Sequence, residues 1–88
     1  MNAIEQDRVR LRATIIDTLR SIAPEIEPAG IAPDKPLRDQ VDLDSMDFLN
    51  VIIRLHETLD VEIPETDYGE LLTLKGAVEY LARRCAAK

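Results

Sequence analysis

Cysteine and histidine occur once each in the 88 residues, tryptophan is missing, and phenylalanine occurs once and tyrosine twice. A single cysteine excludes an internal disulfide framework, and with a single histidine it excludes a Cys/His zinc site. Few aromatics beside 45% hydrophobic residues mean an aliphatic core, which suits packed helices better than a β-sandwich. No apolar run approaches the roughly 20 residues of a membrane span. The opening "MNAIEQDRVR" is too charged for a signal peptide, so the expectation is a soluble cytoplasmic protein. A chain of this length buries only about 60–70% of its unfolded surface, which predicts one domain over 1–88 with one modest core.

Charge is distributed unevenly. Residues 1–23 sum to +1, residues 24–72 hold thirteen acids against three bases for −10, and residues 73–88 sum to +3. An acidic middle segment repels nucleic acid and attracts basic protein surfaces. The bland alternative is that these acids keep the chain in solution. Asp39, Asp42, Asp44 and Asp47 lack the spacing of a calcium loop, and no metal site is expected.

Periodicity predicts an all-α fold, a four-helix bundle of three longer helices and one short one with a long ordered first loop. At 100° per residue Ile4, Leu11, Ile15, Leu19 and Ile22 fall within an arc of about 80°, which marks a first helix over Ala3 to Ile22. "SIAPEIEPAGIAPDKP" breaks it with four prolines and a glycine. From Pro24 to Leu43 there is no sustained period, and Ile26, Ile31, Leu37 and Val41 are expected to pin this stretch across the core. The second long helix starts with Asp44 as N-cap and Asp47 three residues on, and runs to about Leu59, where "DVEIP" is expected to stop it. "PETDYGELL" reads as a short helix with Pro64 as its first residue. Thr73 caps a final helix whose Leu74, Ala77, Val78, Leu81 and Cys85 share one face, which makes Cys85 a core residue rather than a reactive thiol.

The second long helix carries two apolar stripes. Phe48, Val51, Ile52, Leu55 and Leu59 span about 100°, the width of a core face. Met46, Leu49 and Ile53 form a separate stripe about 140° away. Two readings stand: a helix buried on both sides, or a docking ridge edged by acids. Ser45 lies at the head of this helix. A nucleophilic role needs a neighbouring base, and His56, eleven residues on, lies about 16 Å along the axis. Ser45 and His56 therefore cannot pair, and no catalytic residue is expected. A helix N-terminus does suit a phosphate.

"DLDSMDFLNVIIRLHETLDVEIP" followed by "LLTLKGAVEYLA" resembles the acyl carrier protein family over about half of the chain, from Leu37 to Leu81. The resemblance implies that Ser45 receives 4′-phosphopantetheine from coenzyme A through a separate phosphopantetheinyl transferase. Acyl groups would then ride as thioesters on the terminal thiol of the arm, and the chain itself would not be an enzyme. It further implies docking to basic surfaces of acyl-loading and acyl-processing enzymes through Asp44, Met46, Asp47, Leu49, Ile53 and Glu57, with Glu62 adding charge. A monomer serving fatty acid, polyketide or related biosynthesis is the expected form.

The match departs in places. The family's usual Asp-Leu-Gly-Ala-Asp is here Gln40, Val41, Asp42, Leu43 and Asp44, so the glycine and the first aspartate are lost. Asn50, Arg54 and His56 dilute the acidic helix, and a cation at Arg54 should weaken docking to strongly basic partners. This favours a specialised carrier over the housekeeping one. His56 reads as a surface residue that tunes one contact. Two alternatives are an aminoacyl or D-alanyl carrier and a small helical interaction domain without a prosthetic group.

Overall fold

The computed structural model describes residues 3–41 and 43–86; the expectations that rest on Asp42 and on the Ile4 side chain lie outside what is described. The fold is all-α. Helix α1 is Ala3–Ile22, a 3₁₀ turn follows at Pro28–Gly30, and α2 is a single turn at Leu37–Gln40. Helix α3 is Ser45–Leu59, a 3₁₀ helix occupies Glu65–Leu71, and α4 is Leu74–Ala86. The short turn at Leu37–Gln40 and the turn at Pro28–Gly30 have no counterpart in the periodicity, because four residues are too few to show one.

The core forms from the stripes the sequence carries. Leu11, Ile15 and Leu19 of α1 meet Val51, Ile52 and Leu55 of α3 and Leu74, Ala77, Val78 and Leu81 of α4, all buried. Ile26, Ile31, Leu37 and Leu43 join them from the loop, while Val41, Phe48, Leu59 and Cys85 pack half-buried at the margin. The proline-rich stretch is therefore an ordered wrap, anchored by one aliphatic residue every few positions. Burial of each such side chain stabilises by about 1.5–3 kcal/mol before ordering costs.

Backbone bonds fasten the wrap to the start of α4. The Leu37 amide donates to the Leu72 carbonyl at 2.8 Å, and the Lys75 amide donates to the Pro33 carbonyl at 2.8 Å. Pro36 and Thr73 form an isolated antiparallel bridge there. The Thr73 hydroxyl accepts from the Gly76 amide at 2.9 Å, the cap expected from the sequence. The loop and Thr73 together therefore satisfy first-turn amides of α4 that would otherwise be unpaired.

Two expected boundaries differ in cause. Helix α3 does end at Leu59, but Pro64 is five residues further and takes no part. Asp60 adopts the left-handed conformation (φ 54°) as C-cap, and the His56 Nδ1 donates to the Val61 carbonyl at 2.6 Å, fixing the reversal. The short helix is 3₁₀ in form, and Pro64 is its N-cap rather than its first residue.

Close packing at Gly76 leaves no room for a side chain: a Cβ there would stand 2.7 Å from the Glu70 carbonyl oxygen. Because the obstacle is backbone, Gly76→Ala should lower the unfolding free energy by about 1–3 kcal/mol despite alanine's better helix propensity. Urea denaturation measures this, and a stabilised variant would contradict the packing described.

The 3₁₀ helix is tied to α4 by a polar cluster. Buried Tyr80, 3% exposed, donates its hydroxyl to Asp67 Oδ2 at 2.6 Å. Arg84 lies over the Tyr80 ring at 5.6 Å from the centroid and donates to the Glu62 carbonyl through Nε and Nη2. Burial foremost, then the Asp67 hydrogen bond, pushes the phenol from 10.0 up to about 12, with Arg84 pulling the other way. The folded chain thus holds this proton where the unfolded chain releases it. The resulting stability is complete below about pH 10 and is lost as pH rises through about 12. Tyr80→Phe should therefore flatten the decline in unfolding free energy between these two values, and equal slopes for both proteins would refute the assignment.

Candidate functional site

The site is assembled by the start of α3. Asp44 is extended, and its Oδ1 accepts from the Asp47 amide at 2.8 Å. The Asp47 side chain reaches back to the Asp44 amide in a long 3.5 Å contact, which completes the reciprocal capping box. The Phe48 amide bonds to the Asp44 carbonyl at 3.0 Å and opens the helical ladder. Ser45 is consequently the first residue of α3, and it is exposed. Its hydroxyl has no hydrogen-bond partner among the described residues.

Leu43, just upstream, is buried at 5% exposure and plugs the loop into the core. The change from buried Leu43 to exposed Asp44 and Ser45 turns the chain outward at this point. Gln40 holds the approach: its Nε2 donates to the carbonyls of Ala32 and Lys35 at 2.9 Å each, and its Oε1 accepts from the Ala32 amide at 2.6 Å. Neither periodicity nor motif points to this role. Gln40 is the one side-chain amide between Pro24 and Asp44, which is the only trace of it.

Met46, Leu49 and Ile53 are 68%, 39% and 48% exposed. Between the two readings of this stripe, burial on both sides is excluded and the stripe is a surface ridge. The core face is the other one, with Val51, Ile52 and Leu55 buried. Among the expected docking acids, Asp44 and Glu57 are exposed and Asp47 is half-buried by its capping role. Glu62 is exposed, and its carbonyl is engaged by Arg84.

His56 lies toward the far end of α3 and bonds to Val61, so Ser45 and His56 are not brought together. Arg54 is exposed, and its side chain is held from α1. Its Nη1 donates to the Ser21 hydroxyl of α1 at 2.8 Å. Periodicity could not reveal that pairing across 33 residues. Among the described residues no cluster of His, Cys, Asp and Glu could hold a metal, and no helix is long and apolar enough to cross a membrane.

The site is thus an exposed serine at the head of an acid-capped helix that carries an apolar outer ridge. The family model described as the phosphopantetheine attachment site matches residues 9–81. An acyl carrier protein of Syntrophobacter fumaroxidans (strain DSM 10017 / MPOB) is 37% identical over 57 residues, 65% of this chain and 70% of that protein. A meromycolate extension acyl carrier protein of Mycolicibacterium aurum is 28% identical over 83 residues, 94% of this chain and 81% of the relative. The chain belongs to the acyl carrier protein family, whose prosthetic group is 4′-phosphopantetheine.

The capping box bears on the site as well as on stability. Asp44→Ala should cost about 1 kcal/mol of unfolding free energy. It should also raise amide hydrogen exchange at Met46 to Phe48, because the first turn frays once the cap is removed. Protection factors there equal to wild type would contradict that role.

Proposed function

We propose that Ser45 carries the 4′-phosphopantetheine arm and that the protein holds acyl intermediates as thioesters on it and delivers them to partner enzymes. The observation that carries this reading is the exposed hydroxyl at the first residue of α3, without a hydrogen-bond partner among the described residues and inside the span matched by the family. When bound, the arm supplies a thiol for acyl transfer. The residues of this chain fit it: Ser45 is exposed and stands in the first turn of α3, at the positive end of a helix that favours a phosphate. The protein is then a substrate of other enzymes and catalyses no step itself.

Tethering raises the effective concentration of an intermediate at each enzyme that docks. The exposed ridge of Met46, Leu49 and Ile53 supplies apolar contact, and Asp44, Asp47 and Glu57 attract basic entrances. The phosphopantetheinyl transferase is the first such partner, followed by acyl-loading and acyl-processing enzymes. Both relatives are named as acyl carriers, which favours acyl over aminoacyl or D-alanyl cargo, and family membership speaks against an interaction domain without a prosthetic group. The match along nearly the whole chain to a meromycolate extension carrier, with Gln40 and Arg54 departing from the common pattern, supports a specialised member.

Incubation with coenzyme A and a broad-specificity transferase should add one phosphopantetheine mass to the intact protein. Ser45→Ala should abolish the adduct, and Leu49→Asp should slow its formation several-fold with helical circular dichroism unchanged. A wild-type chain left unmodified by several such transferases would sink the reading.

A further inference from the structure

Between α1 and α3 runs an open furrow of about 730 Å³, whose walls include Asp17, Ser21, Asn50, Ile53, Arg54 and Glu57, so that Arg54 is the one base between two acids. Ile53 belongs both to this furrow and to the apolar ridge, so the two surfaces are continuous. Arg54 is exposed, and its guanidinium is held by a neutral relay: Nη1 donates to Ser21 Oγ at 2.8 Å, and that hydroxyl donates to the Thr18 carbonyl at 2.6 Å. Arg8, Arg83 and Arg84 each have a carboxylate within ion-pair distance. Among the described residues Arg54 has none.

We propose, resting on the carrier reading above, that Arg54 is a specificity-determining residue: a partner enzyme's footprint continues from the ridge across Ile53 into this furrow and sets a carboxylate side chain on Arg54. Guanidinium has five donors in a rigid fork, and the Ser21 bond occupies one, so a planar carboxylate can still be met by paired donors. The hold by Ser21 fixes the side chain beforehand and reduces the ordering cost on docking. Arg54 stands nine residues beyond Ser45, about 13 Å along the axis, so it reads the partner's surface rather than the phosphate of the arm. A uniformly basic partner meets Asp44, Asp47 and Glu57 but is repelled at Arg54. A partner with an acid at that one position satisfies all four, and discrimination between the two uses both attraction and repulsion.

The test uses transfer from coenzyme A by a broad-specificity phosphopantetheinyl transferase with a basic docking surface, and by its variant whose docking lysine or arginine opposite the furrow is replaced by glutamate. With the basic enzyme, Arg54→Glu should raise kcat/KM about five- to tenfold at low salt, and Arg54→Gln should raise it less, as expected for a rim charge that governs encounter. The gain should shrink toward unity near 1 M salt, where screening acts over about 3 Å. With the glutamate-bearing enzyme the order should reverse, wild type exceeding Arg54→Glu, and Arg54→Lys, which keeps the charge but not the fork, should fall between them. Equal rates for wild type and Arg54→Glu on both enzymes, or a change in the same direction on both, overturn the inference while the adduct on Ser45 leaves the carrier reading intact. Absence of any adduct on wild type and variants alike overturns both.

Discussion

The reciprocal bonding of Asp44 and Asp47 decides where α3 begins, and every property of the site follows from that. A cap one residue earlier or later would rotate the helix by about 100° relative to the loop. Ser45 would then leave the first helical position, and the core and outer stripes would no longer face the bundle and solvent. With the cap in place, buried Leu43 ends the wrap and exposed Ser45 opens the helix, two residues apart. The same carboxylates add negative charge beside the serine, so one pair of residues sets both the geometry and the electrostatics of the entrance.

The cap can act only because the preceding segment is delivered to it in one conformation. Ile26, Ile31 and Leu37 drive this stretch into the core without specifying its path. The path comes from polar contacts: Gln40 collects Ala32 and Lys35, and the Leu37 and Lys75 amides close on Leu72 and Pro33. Gln40 stands where the family pattern has an aspartate, and Asp42 where it has glycine. A neutral amide that donates and accepts is suited to clamping carbonyls, which a carboxylate is not. The departure is thus coupled to how the loop is held as well as to surface charge.

At the opposite end of α3 the chain reverses through Asp60 in the left-handed conformation, with His56 bonded to Val61 and the 3₁₀ helix pinned to α4 by Tyr80, Asp67 and Arg84. The outer surface of α3 is therefore framed by fixed elements at both ends and by α1 along one side. In the proposed docking, a partner would meet a ridge already framed in this way, which would keep the ordering cost of association low.

The extents of the three long helices, the capping residues Asp44 and Thr73, the anchoring aliphatics of the loop and the position of Ser45 were all determined by the sequence, because each rests on contacts within one or two helical turns or on a local change of period. The sequence also divided α3 into two apolar stripes. It could not decide which one was buried, since that depends on where α1 and α4 lie. Only the tertiary structure exposed the Met46–Leu49–Ile53 stripe, assigned Gln40 to the loop, tied Arg54 to Ser21 and joined Tyr80 to Asp67. These pairs lie 13 to 33 residues apart, or inside an aperiodic loop, and their partners are chosen by packing rather than by any pattern along the chain.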